Sequence, residues 1–562
     1  MISIQFTPFV EDIEMSPVSP ALVSPSKTSQ FNAYIGGIAV FLFFATVFLL
    51  LRTRQYLAVD GAVRALGVYH RQALFFDESN HLLYPVNMFL WSHALTLLGF
   101  EAHTPFEFMA LSQALNALAA AGCLAVMYNL VWIATSSTAL SLAVTSAYGF
   151  SRAIVLHGTN SAEPVMGLFY SALGVLIVVE SLRRDRIWFL ALAGACFALA
   201  LACYQSMVLI APLALLFCFG WPPGNATVPS WNTRWMRFTC ISAGGFTAVC
   251  AIYGWAYWTS GERSIAHMIS NFFKLEGRDI YGYFSFGKVV NSPFGLISGL
   301  LPALPPDYAG VRSLLREPHN ILWITSILIA FVWLGRICWL LVSPVSSKWR
   351  SIDPLERHLI LALGTALLIL MSPLVYWAPL YEKLWLQPLG VMIVLFAVLY
   401  RIGSAHPRHG AMVILITCFI GLEAVLNLLW AIPAHRNPPK GLKESLVVAD
   451  VVKPRDFVVL NFDQISTLYL AFWGSAQNSL LLPALNPELA SSRLTRAINQ
   501  TRKTGGHVYF LSVLDMSEQT WTAFLGDRMG IPYHSFDPYR SKSTVVRSFE
   551  LDGHTTTLRL LQ

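Results

Sequence analysis

Two adjacent carboxylates, Asp77 and Glu78, are the residues whose type and position most favour chemistry. They lie in the stretch FFDESNHLLYP, a short way past the first long apolar segment. Charge is costly in and beside a lipid bilayer, so an ionisable residue that persists there usually has a function. A carboxylate within hydrogen-bond reach of a hydroxyl or amine can remove its proton as a general base. The pair is therefore the first candidate for a reaction centre.

The composition of the chain is typical of an integral membrane protein. Of 562 residues, 55% are hydrophobic and only 12% are charged, whereas a soluble protein carries roughly 25% charged residues. The net charge of +7 comes from Lys and Arg in short loops between apolar segments, a pattern that sets membrane orientation and does not favour nucleic-acid binding. The eight cysteines fall in apolar segments without metal-ligand spacing, so we expect no disulfide framework.

Ten apolar segments have the length that a membrane-spanning helix needs. They are residues 34–51, 108–133, 138–156, 165–179, 187–203, 238–258, 321–342, 359–377, 384–400 and 411–432. A shorter segment, 207–219, follows a polar Tyr-Gln-Ser turn and is a plausible eleventh. The fold class predicted is a mainly α, polytopic helix bundle of about 11 spans.

Clusters of basic residues orient most of these spans by the positive-inside rule. Four such loops are predicted to be cytoplasmic, and they contain Arg183, Arg184 and Arg186; Arg234 and Arg237; Lys348, Arg350 and Arg357; and Arg401 and Arg408. Counting spans between them places residues 157–163, 259–320 and 378–383 on the external side. The region after residue 432 also falls there.

The front end of the chain has two interpretations that depend on residues 82–100. If this segment lies along the interface, the N-terminus is cytoplasmic and Asp77 and Glu78 are external. If it spans, the pair is cytoplasmic, which basic residues such as Arg64 and Arg71 favour. Both interpretations stay open on charge alone.

The chain divides into three predicted regions. Residues 1–30 form a Ser- and Pro-rich tail that we expect to be disordered, and residues 31–435 form the membrane bundle. In residues 436–562, short buried strands in DFVVLNF and GHVYFLSVL alternate with helices at 487–502 and 518–527. Two further strands, 544–551 and 555–561, meet at an Asp-Gly hairpin turn. The sequence therefore predicts a small external α/β domain.

The Asp-Glu pair after the first span resembles the GT-C superfamily of membrane glycosyltransferases. This group includes protein O-mannosyltransferases and bacterial aminoarabinose transferases, and FFDESNHLLYP resembles the "FDE" stretch of the former. The family has a second acidic motif in the next external loop, where LHGTNSAEP places Glu163. The His-Pro-Pro sequence common in relatives is absent, with HLLYPVN instead. The resemblance implies that 82–100 lies at the interface and that Asp77, Glu78 and Glu163 share the external side.

The chemistry of transfer from a polyprenyl-phosphate sugar assigns expected roles to individual residues on the external side. Asp77 is the expected base, and Glu78 positions the acceptor or assists. The expected contacts to the phosphate of the donor are Arg152, Lys274, Arg278 and Lys383. The expected contacts to the sugar or acceptor are His157, Asn160, Glu163, Glu276, Asp279 and Tyr381. No cofactor is implied with certainty, and a divalent metal is possible because members of the family differ in metal dependence.

The leading hypothesis is a glycosyltransferase of the bacterial inner (cytoplasmic) membrane. It would move a sugar from a polyprenyl-phosphate donor to a lipid, glycan or protein acceptor on the external, periplasmic face. A transporter or lipid flippase is the main alternative, although mid-span charges are few, with Glu423 the clearest, and no repeat is visible. A non-catalytic GT-C-like scaffold is the third.

Overall fold

The fold was taken from a computed structural model. It describes residues 27–52, 59–70, 81–220, 229–260, 284–302, 318–352, 354–376, 382–403, 409–436, 440–453, 455–460, 478–481, 487–519, 521, 532–551 and 554–562. Seven of the predicted site residues lie outside these ranges, namely Asp77, Glu78, Lys274, Glu276, Arg278, Asp279 and Tyr381.

Helices form nearly all of the described chain before residue 450. The first ten are α1 (Lys27–Leu50), α2 (Val59–Tyr69), α3 (Leu83–Leu97), α4 (Pro105–Thr135), α5 (Thr138–Phe150), α6 (Arg152–Gly158), α7 (Glu163–Arg183), α8 (Phe189–Cys203), α9 (Ala211–Gly220) and α10 (Trp231–Ser260). The next six are α11 (Phe286–Leu300), α12 (Pro318–Lys348), α13 (Pro354–Tyr376), α14 (Leu386–Gly403), α15 (His409–Arg436) and α16 (Lys440–Ala449). Short 3₁₀ helices, Gln205–Ile210 and Glu382–Trp385, precede α9 and α14.

All eleven predicted apolar segments are helical. Within the described residues, 8 helices are long and apolar enough to cross a membrane, and the bent pair α5 and α6 would be a ninth. The two remaining segments are the shorter apolar helices Phe189–Cys203 and Gln205–Gly220. The predicted fold class, a polytopic helix bundle followed by a small C-terminal α/β region, is confirmed.

The predicted span over residues 138–156 is made of two helices, α5 and α6, and not of one straight helix. The chain bends by 64° between α5 and α6, because Ser151 adopts an extended backbone conformation with ψ of 144°. The Ser151 hydroxyl donates a hydrogen bond of 2.6 Å to the carbonyl of Tyr148, which lies in the last turn of α5. The bend turns the chain so that Arg152 becomes the first residue of α6.

Contacts of α1 fix which ends of the first helices lie together. Near its start, the Tyr34 hydroxyl accepts a hydrogen bond of 3.0 Å from Arg184, which follows α7. Just past its end, Arg52 donates to the carbonyl of Ala110 in the second turn of α4, at 3.1 Å. The end of α1 therefore lies with the start of α4, and the start of α1 lies with the end of α7.

Helix α3 does not pass from one end of the bundle to the other. Before its first turn, the His81 ring lies 3.2 Å from the carbonyl of Cys203 at the end of α8. After its last turn, the carbonyl of His103 accepts a bond of 2.8 Å from Tyr69, which ends α2. Its 15 residues extend only about 22 Å, less than the roughly 30 Å of a bilayer core. This arrangement agrees with the interfacial interpretation of residues 82–100.

Local sequence explains where α4 begins. The Thr104 hydroxyl accepts a bond from the amide of Glu107, while the Glu107 carboxylate accepts one from the amide of Thr104, both at 3.2 Å. This reciprocal capping box, with Pro105 as the first helical residue, satisfies amides that a helix start leaves without partners. The 31-residue helix that follows is largely buried and forms the centre of the bundle.

The C-terminal region contains a five-stranded sheet in the order β2-β1-β3-β5-β4. Its strands are β1 (Phe457–Leu460), β2 (Asn478–Leu481), β3 (Val508–Leu511), β4 (Ser543–Leu551) and β5 (His554–Leu561). Strand β1 is parallel to β2 and β3, whereas β5 is antiparallel to β3 and to β4.

Most of this region follows the sequence prediction. The hairpin and the helix Pro487–Lys503 are confirmed, and of the predicted helix 518–527 the described residues 518, 519 and 521 are helical. Strand β2 was not predicted. It is four residues long and reads NSLL, too short for a period-two pattern to stand out.

Candidate functional site

A buried carboxylate, Glu163, begins helix α7. Glu163 is only 1% exposed, and Arg64 of α2 is 7% exposed. The Glu163 Oε1 atom lies 3.9 Å from the Arg64 Nε atom. Burying a carboxylate is costly unless a cation or hydrogen-bond donors accompany it. The pair therefore joins α2 to the start of α7 through opposite charges.

The loop before Glu163 is held by side chains from α3 and α4. The amide of Asn116 donates bonds of 2.8 Å to the carbonyls of both Asn160 and Ala162. The Tyr84 hydroxyl donates to Asn116 Oδ1 at 3.3 Å and lies 2.9 Å from the Ser161 hydroxyl. Burial, and then the charge of Glu163, raises the pKa of Tyr84 well above its ordinary value. Its hydroxyl is therefore a neutral donor.

We call these residues the Glu163 cluster: Arg64, Tyr84, Asn116, Asn160, Ser161 and Glu163. All six are less than a tenth exposed. Asn160 uses its Oδ1 to accept a bond of 2.9 Å from the amide of Ser161, so in this structure it supports the loop. A helix N-terminus with a carboxylate in its first turn is electrostatically favourable. The cluster fixes Glu163 firmly at that position.

A second polar group surrounds Arg152. Its Nη2 lies 3.0 Å from Oε1 of Glu382, and both side chains are less than a fifth exposed. Its Nη1 donates a bond of 3.4 Å to the Ser298 hydroxyl, and its guanidinium lies 4.9 Å from the ring centroid of Trp430. A planar guanidinium suits this combination of ion pairing and aromatic stacking. The bend at Ser151 brings Arg152 to these partners.

Lys383 continues this group toward the start of α3. Its ammonium lies 5.5 Å from the ring centroid of Tyr204, and Tyr204 stacks on His81 with ring centroids 5.4 Å apart. Lys383 directly follows Glu382, the partner of Arg152. We call Arg152, Glu382, Lys383, Tyr204 and His81 the Arg152 group.

The two polar groups border the two ends of the segment that contains Asp77 and Glu78. That segment, residues 71–80, lies outside the described residues. The helix before it, α2, carries Arg64 of the Glu163 cluster, and the residue after it, His81, belongs to the Arg152 group. In the sequence, only Ser79 and Asn80 separate Glu78 from His81.

The described residues predicted for the site divide between the two groups. Asn160 and Glu163 lie in the first, whereas Arg152 and Lys383 lie in the second. His157 is half-buried in the last turn of α6. The structure does not place the other seven predicted residues.

Sequence reasoning missed several residues that complete both groups. Tyr84 lies in the FFDESNHLLYP stretch but was given no role, Tyr204 was considered only as part of a turn, and Asn116 occurs in an apolar stretch without a motif. Arg64 was treated only as an orienting charge, although a lone arginine in the apolar stretch VDGAVRALGVY was a usable signal for a buried partner. Glu382 was noted only as part of a short external loop.

An apolar cavity of about 770 Å³, including its opening, lies within the bundle. Side chains from α4, α5, α7, α9, α13 and α14 surround it, among them Met127, Tyr148, Leu168, Phe217, Leu363 and Val394. Its polar lining residues include Ser171 and Gln387. Gln387 follows Lys383 by four residues, so one end of the cavity is close to the Arg152 group.

Clusters of metal-binding side chains can be assessed only in the described part of the chain. Among the described residues, no group of three or more His, Cys, Asp or Glu side chains is arranged to hold a metal ion. Segments 71–80 and 261–283 lie outside the described residues. They contain five acidic residues, namely Asp77, Glu78, Glu262, Glu276 and Asp279.

Comparison with known proteins finds similar solved structures but no similar sequence. The chain is similar to the crystal structure of ArnT from Cupriavidus metallidurans bound to undecaprenyl phosphate. The identity is 12%, the match covers 93% of this chain and 97% of that chain, and the TM-score is 0.44. No family model and no curated protein matches the sequence. At this level of similarity we infer nothing about function from the comparison.

Proposed function

We propose that the chain is a membrane glycosyltransferase of the GT-C kind. It would transfer a sugar from a polyprenyl-phosphate donor to a lipid, glycan or protein acceptor on the external face of the membrane. The observation that carries the proposal is that residues flanking the segment with Asp77 and Glu78 belong to two polar groups, one buried and one partly buried. Such a concentration of charge within a lipid-adapted chain is the expected sign of a site.

The reaction assigns a part to each group. An acceptor oxygen or nitrogen attacks the anomeric carbon, and its proton passes to the carboxylate of Asp77. The bond between that carbon and the phosphate oxygen breaks, and the phosphate leaves with the electron pair. Lys383 and Arg152 supply positive charge where negative charge accumulates on the phosphate. Glu78 orients the acceptor, and Glu163 remains paired with Arg64.

The apolar cavity supports a lipid-linked donor. A polyprenyl chain needs a space lined by aliphatic and aromatic side chains, and its phosphate needs cations at the end of that space. The cavity beside Gln387 has the first property, and the neighbouring Arg152 group has the second. If a divalent metal takes part, Asp77 and Glu78 are the carboxylates that would hold it, since hard cations bind carboxylate oxygens.

The test is substitution of Asp77 in the purified full-length chain reconstituted in lipid vesicles. Polyprenyl phosphates loaded with different radiolabelled sugars would be supplied with a membrane lipid and glycan extract as acceptor. We expect Asp77→Asn to lower transfer by roughly 10²- to 10⁴-fold, as loss of a general base does. The matched control is Asp185→Asn, because Asp185 lies between α7 and α8 with a positive φ of 52° that Asn also tolerates.

Two results would contradict the proposal. One is full transfer activity in the Asp77→Asn protein at equal expression. The other is the absence of transfer from every polyprenyl-phosphate sugar by a folded wild-type protein.

One observation favours the transporter or flippase alternative. Glu423 is a completely buried carboxyl in the middle of helix α15, and ionisable residues within spans often mark a transport pathway. Substrate-dependent movement of a lipid-linked sugar across proteoliposomes, without glycosyl transfer, would support this function in place of the first.

A further inference from the structure

A second cavity lies on the other side of helix α14. It has a volume of about 600 Å³ including its opening, and its lining is almost wholly apolar. The lining side chains come from α5, α11, α12, α14 and α15, and include Val144, Leu300, Ile337, Phe396, Ile416 and Phe419. None of the residues of the two polar groups lines it.

Glu423 and Asn427 continue the stripe of α15 that lines this cavity. Residues 416, 419 and 420 line it, and positions 423 and 427 follow at the three- and four-residue spacing that places side chains on one helix face. Both residues are completely buried. Leu300, which lines the cavity, also accepts a hydrogen bond of 2.7 Å from Asn427 through its carbonyl. The polar pair therefore lies next to the apolar lining, one turn further along the same face of α15.

Three acceptor atoms of this polar pair find no donor in the part of the chain that the structure describes. The Asn427 amide nitrogen donates to the carbonyls of Phe150 and Leu300, which uses both of its hydrogens. Among the described residues, no hydrogen-bond partner is found for Asn427 Oδ1 or for either carboxylate oxygen of Glu423. A buried polar group without a partner is costly, so such a group points to a ligand or an ordered solvent molecule.

Counting donors identifies the kind of ligand. A proton on Glu423 would make one carboxyl oxygen a donor that can serve Asn427 Oδ1, but it would leave the other carboxyl oxygen without a donor. A divalent cation such as Mg²⁺ or Ca²⁺ takes six or more oxygen ligands, twice the number available. A primary ammonium group brings three donors, no acceptor and a compensating positive charge. The apolar lining of the cavity suits an aliphatic chain attached to it.

We propose that Glu423 and Asn427 form a binding site for an amphiphile with a primary amine head group and an aliphatic tail. The ammonium would donate to Glu423 and to Asn427 Oδ1, and the tail would occupy the cavity between α5, α12 and α14. Trp430, which contacts Arg152, follows Glu423 by seven residues, about 10 Å along the helix axis. The site is thus separate from the proposed glycosyl-transfer site and does not depend on it.

The experiment uses dodecylamine and dodecanol as matched probes, because they have equal tails and differ in the head group. The full-length chain in phosphatidylcholine nanodiscs is heated with each probe. We expect dodecylamine to raise the unfolding temperature by about 2 °C more than dodecanol does. Glu423→Gln should abolish that difference, whereas Glu180→Gln, which alters an ion pair in the last turns of α7, should retain it. Equal shifts with both probes, or a retained difference in Glu423→Gln, would overturn the proposal.

A second measurement on the wild-type protein covers the case in which Glu423→Gln does not fold. Dicyclohexylcarbodiimide is apolar and reacts with protonated carboxyl groups in apolar surroundings, and mass spectrometry of the peptide containing Glu423 measures the reaction. We expect at least fivefold less modification with dodecylamine than with dodecanol at equal concentration. Equal protection by the two probes would mean that only the tail is recognised, and it would refute the amine site.

Discussion

Single atoms determine how α2 meets the loop that carries Glu163. Gly61 lies one turn before Arg64, and its α-carbon packs directly on the backbone of Ser161. A β-carbon at this position would be 1.8 Å from the Ser161 carbonyl oxygen. Glycine is required here because no other residue allows this approach of two backbones. The Arg64–Glu163 pair, at 3.9 Å, depends on that approach.

Replacement of Gly61 by alanine should therefore destabilise the protein. The added methyl group forces α2 away from Ser161, and overpacking of this kind costs about 1–3 kcal/mol. Gly254→Ala is the matched control, since a β-carbon on this α10 glycine would have open space within 4 Å and alanine favours a helix. Thermal unfolding in nanodiscs measures both changes. A Gly61→Ala protein as stable as the Gly254→Ala protein would contradict this packing.

At this scale the sequence revealed charges but not their partners. Glu163 could be named because it stands in a recognisable stretch before Pro164. Its partner Arg64 lies 99 positions earlier, and Tyr84 and Asn116 lie in helices between them. Periodicity predicts which face of a helix is apolar, but it carries no information about which helices are neighbours. Such contacts require the tertiary structure.

At the scale of elements, the decisive feature is that α3 begins and ends at one end of the bundle. The contacts of His81 with Cys203 and of Tyr69 with His103 establish this. Charge alone left two topologies open, because basic residues near α2 favoured a cytoplasmic loop. One of these, Arg64, pairs with Glu163 and is buried. A residue used as an internal partner does not report on orientation.

Cysteine labelling can test this topology. In a variant without the eight native cysteines, single cysteines would replace Ser79, Glu101 and Asp185. We expect Ser79→Cys and Glu101→Cys to react with a membrane-impermeant maleimide from the same face of intact cells, because α3 does not cross. Asp185→Cys, at the opposite end of α7, should react only after the membrane is permeabilised. Labelling of Ser79→Cys and Glu101→Cys from opposite faces would show that α3 spans.

At the scale of the whole molecule, two separate cores hold the bundle and the sheet. The bundle has one continuous apolar core that reaches Leu442 in α16. The sheet packs two smaller clusters on its faces, one of which includes Val448 at the end of the same helix. Helix α16 therefore connects the two parts by contributing to both cores. Apolar runs predicted both parts well, whereas this shared helix depends on tertiary packing.

The separation of the cores predicts a local response to mutation. Val448→Ala removes two methyl groups from a fully buried position, which should cost about 1–3 kcal/mol. Hydrogen exchange followed by mass spectrometry should become faster in β1 and β3 and stay unchanged in α4 and α7. Val126→Ala, in the centre of the bundle, should do the reverse. Equal effects of each variant on both parts would mean that they unfold as one unit.

The Arg152 group has a consequence for the order of events on the proposed reaction path. Arg152 and Lys383 carry two positive charges and Glu382 carries one negative charge, so these three side chains sum to +1. A sugar linked to a polyprenyl phosphate carries a single negative charge, which this sum balances. A free phosphate monoester carries about −1.5 to −2 near neutral pH. The lipid phosphate that remains after sugar transfer would therefore carry more negative charge than the three side chains balance, in a region of low dielectric. Its departure, and hence turnover, would be favoured by the same three residues that receive the donor.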